Sequence, residues 1–158
     1  MIPTPFFSQP SPENSRAIPG ALFHFLATGE QTGNSFALIQ IDVQKGNEPP
    51  AHTHAYEDES YYIMEGHIRF WIGDKVVDAK AGDFVFLPKG IPHKFELQSD
   101  TVKELMWLAP AGLEKWFWDN SVPAPDLKPL PVMQEPPPRE LIEQFVHSLS
   151  TYGVEMVK

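Results

Sequence analysis

The chain has 158 residues, no cysteine, and 12 basic against 21 acidic side chains, which give a formal net charge of −9. This length predicts a single domain with a substantial buried core. The charge argues against nucleic acid and anionic membrane surfaces as partners, and the lack of cysteine excludes disulfides, zinc fingers and thiol catalysis.

Residues 1–20 are predicted to form an extended arm, because five of them are proline. No basic residue precedes Arg16, and no apolar run in the chain approaches the ~20 residues of a membrane span. We therefore expect no signal peptide and no transmembrane segment, and we expect a cytoplasmic protein.

Two apolar runs, 21–27 and 36–43, flank a loop that contains glycine, and this pattern predicts a β-hairpin. His24 lies in the first run and is predicted to be a strand residue without chemistry. The hydrophobic first strands and the proline-rich arm lead us to expect a homodimer in which residues 1–45 contact the neighbouring subunit.

The next stretch holds the ligand types of a divalent transition-metal site. His52 and His54 are two residues apart, so in a strand both side chains point to one face. Glu59 follows after four residues, and His93 comes just after a predicted turn at 88–90. Three imidazoles and a carboxylate suit iron, manganese, cobalt, nickel, copper or zinc. They also leave coordination positions open, as at a catalytic metal.

Glu57 is a competing carboxylate, three residues after His54. Spacing favours Glu59 as the ligand, and Glu57 and Asp58 are interpreted as a solvated loop, the usual environment of a charge run. His67 falls on the polar side of an alternating strand pattern and is therefore left out of the site.

The rest of the central region consists of short strand-like runs without a long helix between them, at 68–72, 75–79, 84–87, 93–97 and 102–108. This spacing predicts an all-β sandwich or barrel. Beyond Pro110 we expect a short helix at 111–118, a proline-rich extended connector at 121–138, and a closing amphipathic helix at 139–149.

The ligand-bearing stretch resembles the two-part signature of the cupin superfamily, G-x5-H-x-H-x3,4-E-x6-G followed by G-x5-P-x-G-x2-H-x3-N. All four ligand positions of the signature match, at His52, His54, Glu59 and His93. Leu97 stands where the signature has its final asparagine, which is not a ligand.

The resemblance implies a fold and a domain organisation. The fold is the double-stranded β-helix, a jelly-roll or cupin barrel, which we place at residues 21–118 after the arm of residues 1–20. Residues 119–158 then form the proline-rich connector and a short C-terminal helix. The superfamily alone does not specify a reaction, because many chemistries use this scaffold.

Residues 59–71 and 110–117 resemble the single-domain cupins that are grouped with quercetin 2,3-dioxygenase. In flavonol dioxygenases the metal binds the deprotonated 3-hydroxyl of the substrate, and dioxygen opens the heterocycle with loss of carbon monoxide. The resemblance implies that Glu59 both ligates the metal and accepts the hydroxyl proton, as the catalytic base. The implied partners are a small-molecule substrate and dioxygen.

Strand parity gives candidate pocket residues. Tyr61 and Ile63 share the face of Glu59, and Phe95 shares the face of the last histidine. Two other functions stay open, a non-catalytic metal-binding or small-ligand-binding module and a sugar or sugar-phosphate isomerase. Phosphate recognition would require convergent basic side chains, and the core strands offer mainly Arg69, on the side away from the apolar residues.

Overall fold

The computed structural model of the protein describes residues 2–46 and 48–157. Its strands are β1 (Ser15–Ile18), β2 (Ala21–Ala27), β3 (Ala37–Gln44), β4 (His52–His54), β5 (Asp58–Glu65), β6 (His67–Ile72), β7 (Lys75–Lys80), β8 (Phe84–Leu87), β9 (His93–Leu97), β10 (Thr101–Ala109), β11 (Val122–Pro123) and β12 (Val154–Met156). Its helices are α1 (Gly29–Thr32), α2 (Glu114–Asp119), α3 (Arg139–Ser150) and a 3-10 helix at Pro12–Asn14. No helix in these described ranges is long and apolar enough to cross a membrane.

The strands form two antiparallel sheets that share one core. The larger sheet has the order β11-β1-β2-β3-β10-β5-β8, and the smaller has the order β12-β4-β9-β6-β7. Apolar side chains from both sheets belong to a single buried cluster. This arrangement confirms the predicted all-β jelly-roll, and α3 is its short C-terminal helix.

The two-residue alternation of the sequence explains how this core forms. The buried side chains of β3 alternate with partly exposed ones, at Ala37, Ile39, Ile41 and Val43. β10 lies between β3 and β5 and pairs with both, so its inward residues share the same core. Full burial of a side chain as large as isoleucine contributes about 1.5–3 kcal/mol, so this face stabilises the barrel strongly.

The predicted hairpin is present, because β2 pairs with β3 around the loop that contains α1. A second hairpin joins the strand-like runs 68–72 and 75–79, where β6 pairs with β7 across Gly73 and Asp74. Gly73 has φ of +59°, a left-handed conformation that glycine adopts without steric cost. The local turn signals in the sequence therefore specified these connections.

Three segments that the sequence analysis left outside the strands belong to the sheets. β1 lies in the predicted arm and pairs with β2, whereas β11 lies in the predicted connector and pairs with β1. Because β11 is an edge strand, Pro123 removes no hydrogen bond from the interior of the sheet. β12, near the C-terminus, pairs with β4. The two sheets thus extend beyond residues 21–118 at both ends, which corrects the predicted barrel boundaries.

Candidate metal centre

The four predicted ligands converge at one place between the two sheets. His52 and His54 point inward from β4, and His93, at the start of β9, lies opposite His52 in the strand register. Glu59 comes from β5 in the other sheet. All four side chains are buried or nearly so, and each offers a ligand atom within 4.8 Å of the others. The cluster could therefore hold one metal ion.

Backbone carbonyls orient two of the imidazoles. His52 Nδ1 lies 2.9 Å from the carbonyl oxygen of Pro50, and His93 Nδ1 lies 3.1 Å from that of Ile91. A carbonyl can only accept, so each Nδ1 carries the proton and each Nε2 is left with a free lone pair. A hydrogen bond from the ring nitrogen that does not ligate fixes the orientation of an imidazole at a metal site.

A buried carboxylate orients the third imidazole. Glu57 is 3% exposed, and its Oε1 accepts a hydrogen bond from His54 Nδ1. The sequence analysis interpreted Glu57 as part of a solvated loop, and this was wrong because the loop folds inward against the cluster. Glu57 contacts the nitrogen that faces away from the cluster, so Glu59 is the carboxylate that faces the other ligands, as the spacing predicted.

Two of the ligand atoms lack partners in the described part of the chain. Nε2 of His54 and Nε2 of His93 are buried without a hydrogen bond. Glu59 Oε2 lies 3.9 Å and 3.2 Å from these atoms, respectively, without the alignment of a hydrogen bond. Buried polar atoms are rarely left unpaired, and a shared metal ion would satisfy these two nitrogens together with the carboxylate. The donor set therefore fits a divalent transition metal.

Burial and neighbouring charges shift the pKa values of three of the four ligands. Burial raises the pKa of the Glu59 carboxyl, but the adjacent histidines outweigh burial and hold the pKa below its usual range. Burial lowers the pKa of His52. Burial acts in the same direction on His54, but the hydrogen bond to Glu57 and the charge of Glu59 raise its pKa above the ordinary value. The ionised form of Glu59 and the neutral form of His52 are the ligating forms.

The turn before β9 is tied to both neighbouring strands. Gly90 has φ of +78°, and its N–H donates to the carbonyl oxygen of His54 at 2.8 Å. The N–H of Lys89 donates to Asp58 Oδ1 at 2.9 Å. The proline-glycine turn therefore holds β9, and with it His93, at a fixed position relative to the other ligands.

The cluster opens into an apolar cavity of about 240 Å³. His52, His54 and Glu59 line it at one side, and Tyr61 and Phe95 form part of the wall. Ile63, the third candidate pocket residue, shares the face of Glu59 but is fully buried in the core and does not line the cavity.

The chain beyond β10 completes the cavity wall. Trp116 and Phe117 of α2 line it together with Leu149 of α3. The Trp116 indole donates from Nε1 to Ser148 Oγ at 2.8 Å, which ties α2 to α3. The sequence analysis missed these residues, because an apolar helical stripe does not reveal which surface it covers.

The other histidines of the barrel have ordinary partners. His67 Nε2 lies 3.1 Å from Asp78 Oδ1 at an exposed position on β6, which agrees with its exclusion from the site. His24 is buried in β2, where its Nδ1 lies 2.6 Å from Ser15 Oγ. Both are structural contacts away from the cluster.

The family follows from a comparison with known domains. Residues 40–109, which include all four ligands, match the family described as Cupin domain. The chain carries a cupin domain. The match covers the strands from β3 to β10, so the termini that complete the sheets lie outside it.

This cupin is also similar to individual proteins. It is 28% identical over 108 residues to a quercetin 2,3-dioxygenase of Bacillus subtilis, covering 68% of this chain and 32% of that protein. It is 23% identical over 104 residues to a quercetin 2,3-dioxygenase of Aspergillus japonicus, covering 61% of this chain and 30% of that protein. The chain thus spans about a third of the length of these relatives.

A solved structure agrees on the fold. KdgF from Halomonas sp. superposes with a TM-score of 0.61 at 15% identity, over 71% of this cupin and 99% of that chain. At this identity the likeness shows the fold alone.

Proposed function

We propose that this cupin is a metal-dependent dioxygenase that acts on a flavonol-like or other enolic aromatic substrate. The observation that carries the proposal is the opening of the four-ligand cluster into a cavity with aromatic and aliphatic walls. The similarity to two quercetin 2,3-dioxygenases supports the same reaction class, although it covers only about a third of their length.

His52, His54, His93 and Glu59 would hold the metal. When bound, a redox-active divalent ion lowers the pKa of a hydroxyl that it contacts and supplies the electron transfer that dioxygen chemistry requires. The sheets supply the rigidity of this ligand set, because three ligands lie in the small sheet and the fourth in the large one. The ion itself stays open among iron, manganese, cobalt, nickel, copper and zinc, with the redox-active ions favoured for this reaction.

Glu59 is the proposed base. Its Oε2 faces the cluster from β5, and the same side chain lines the cavity. The histidines hold the pKa of Glu59 below its usual range, so at neutral pH the carboxylate is ionised and can accept a proton from the substrate hydroxyl at Oε2. Removal of this proton leaves an enolate, whose carbon atom is the electron-rich centre that forms a bond with dioxygen.

The cavity wall selects the kind of substrate. Phe23, Phe95 and Trp116 present aromatic surfaces, and Tyr61 is buried with its hydroxyl 3.5 Å from Met106 Sδ. The volume of about 240 Å³ lies just below the range of ~300–1,000 Å³ that is usual for ligand pockets, which favours a compact, flat molecule. These walls would exclude water from a bound aromatic ring.

The lining argues against a sugar phosphate as the substrate. Among the described residues that form the cavity wall, none is lysine or arginine. Arg69, the basic residue that the sequence left as a candidate, pairs with Asp78 at the surface, with nitrogen to oxygen distances of 2.9 Å. A non-catalytic binding module stays as the alternative that the following experiment decides.

Oxygen uptake with a flavonol tests the proposal. Purified protein is loaded in turn with iron, manganese, cobalt, nickel and copper, and each form is given quercetin in an oxygen electrode. We expect uptake with at least one ion, and Glu59→Gln should reduce turnover by about 10²- to 10⁴-fold while the histidines retain metal. Glu65→Gln is the matched control, since this exposed carboxylate lies on the same strand and pairs with Lys103. The absence of uptake with every ion would favour the binding module.

A further inference from the structure

A second acidic side chain lies on the inner face of the barrel. The inward positions of β10 alternate with exposed ones and are occupied by Val102, Glu104, Met106 and Leu108. Glu104 is the one ionisable residue of this row, and it is 1% exposed. It is one of the lining residues of the cavity that the metal cluster opens into.

One oxygen atom of the Glu104 carboxyl group has no partner from the described residues. Its Oε2 is buried and makes no hydrogen bond. Burial, with a contribution from the charge of Glu59, raises the pKa of Glu104 to about 8, so at neutral pH it is a protonated acid that can donate an O–H. A buried polar group without a partner destabilises a fold, and an apolar side chain of similar size would not carry this cost. The residue therefore points to a ligand.

The strand register shows where this acid lies relative to the cluster. Along β5, Glu104 is paired with Ile63, whereas Glu59 is paired with Leu108. The two positions are four residues apart, and at about 3.3 Å per residue their backbones are separated by about 13 Å. The β10–β5 register also shifts between Lys103 and Glu104, and irregularities of this type often redirect a side chain beside a binding site.

We propose that the Glu104 carboxyl group binds an oxygen atom at the end of the aromatic substrate that lies away from the metal cluster. It would thereby select substrates that carry a hydroxyl or carbonyl at that end. In its acid form Glu104 donates a hydrogen bond to this oxygen, which replaces the partner that the protein itself does not provide. The inference rests on the proposed function, because that function places the enolic end of the substrate beside Glu59.

The test is a binding measurement that requires no turnover. The protein is loaded with Zn²⁺, which has no redox chemistry and so cannot consume the ligand. Two probes are titrated while tryptophan fluorescence is recorded, since Trp116 lines the cavity. The probes are 3-hydroxyflavone, which has no other hydroxyl, and quercetin, which carries hydroxyls on both outer rings. The variants are Glu104→Leu, which removes the hydrogen bond, and Glu104→Gln, which retains a donor of similar shape.

We expect Glu104→Leu to reduce the preference for quercetin over 3-hydroxyflavone by about 2- to 10-fold, because one hydrogen bond to the ligand is lost. Glu104→Gln should keep most of this preference. Met106→Leu, the next inward position of β10, is the control for wall shape and should change both affinities alike. An unchanged preference in Glu104→Leu overturns the inference, even when the wild type consumes oxygen. A reduced preference in a protein without oxygen uptake supports the inference and rejects the dioxygenase. Failure of the wild type to bind either flavonol overturns the inference and rejects flavonols as the substrate.

Discussion

Removal of the Glu57 carboxylate tests how the metal cluster is held together. In the folded protein Glu57 accepts the hydrogen bond of His54 Nδ1, and both side chains are buried. This contact keeps the proton on Nδ1 and leaves Nε2 free to ligate. Loss of such a partner typically reduces metal affinity by about 10- to 100-fold, which corresponds to about 1.4–2.8 kcal/mol. We expect this loss for Glu57→Ala. A smaller one is expected for Glu57→Gln, whose amide oxygen still accepts the hydrogen bond but carries no charge.

The assay is a competition for Zn²⁺ between each variant and a chromogenic chelator at neutral pH. Glu65→Gln removes the same charge from an exposed site. It should bind Zn²⁺ like the wild type, because solvent and salt screen the effect of a surface charge on the buried metal cluster. The reasoning would be refuted if Glu57→Ala and Glu65→Gln had equal affinities. In that case Glu57 would be a buried neighbour without influence on the site.

Two further predictions concern stability and assembly. The pKa of Glu104 is raised to about 8 in the folded protein, whereas it is about 4.3 in an unfolded chain. Between these pH values the folded state retains a proton that the unfolded state releases. The free energy of unfolding of the wild type therefore falls as the pH rises through this range. The stability of Glu104→Gln relative to the wild type should therefore increase by up to ~1.4 kcal/mol per pH unit across this range. Urea unfolding of chelator-treated protein measures this difference. A difference in the free energy of unfolding that does not change with pH would contradict the prediction. The homodimer stays a prediction. Phe6 and Phe7 are exposed in the arm, and if they contact the neighbouring subunit, serine at both positions should give the mass of a monomer in light scattering where the wild type gives a dimer. A monomeric wild type at micromolar concentration would remove the homodimer.

The ligand set was predictable because its geometry is largely local. His52 and His54 share a face through the two-residue period of a strand, and the turn before His93 carries its own proline and glycine signal. Glu57 was misinterpreted because sequence alone shows only a short run of acidic residues. Its burial depends on a loop that folds back against His54, which is a tertiary contact.

The edges of the fold were harder to predict for a related reason. β1 has four residues, the edge strand β11 has two and β12 has three, so none shows a periodic pattern long enough to identify. Their pairing depends on where the rest of the sheets lies. Glu104, by contrast, left a signal in the sequence, because it interrupts an apolar alternation at an inward position. A charged residue at such a position indicates either a satisfied core group or a binding site.

Metal content shows whether the four-ligand cluster holds an ion. Wild-type protein and the double variant His52→Ala/His54→Ala are purified under identical conditions, dialysed and analysed for transition metals, and circular dichroism checks that both keep the β-sheet signal. The core is built from the apolar alternation, so the double variant should stay folded. We expect about one ion per wild-type chain and almost none in the variant. Equal metal content in two folded proteins would contradict it.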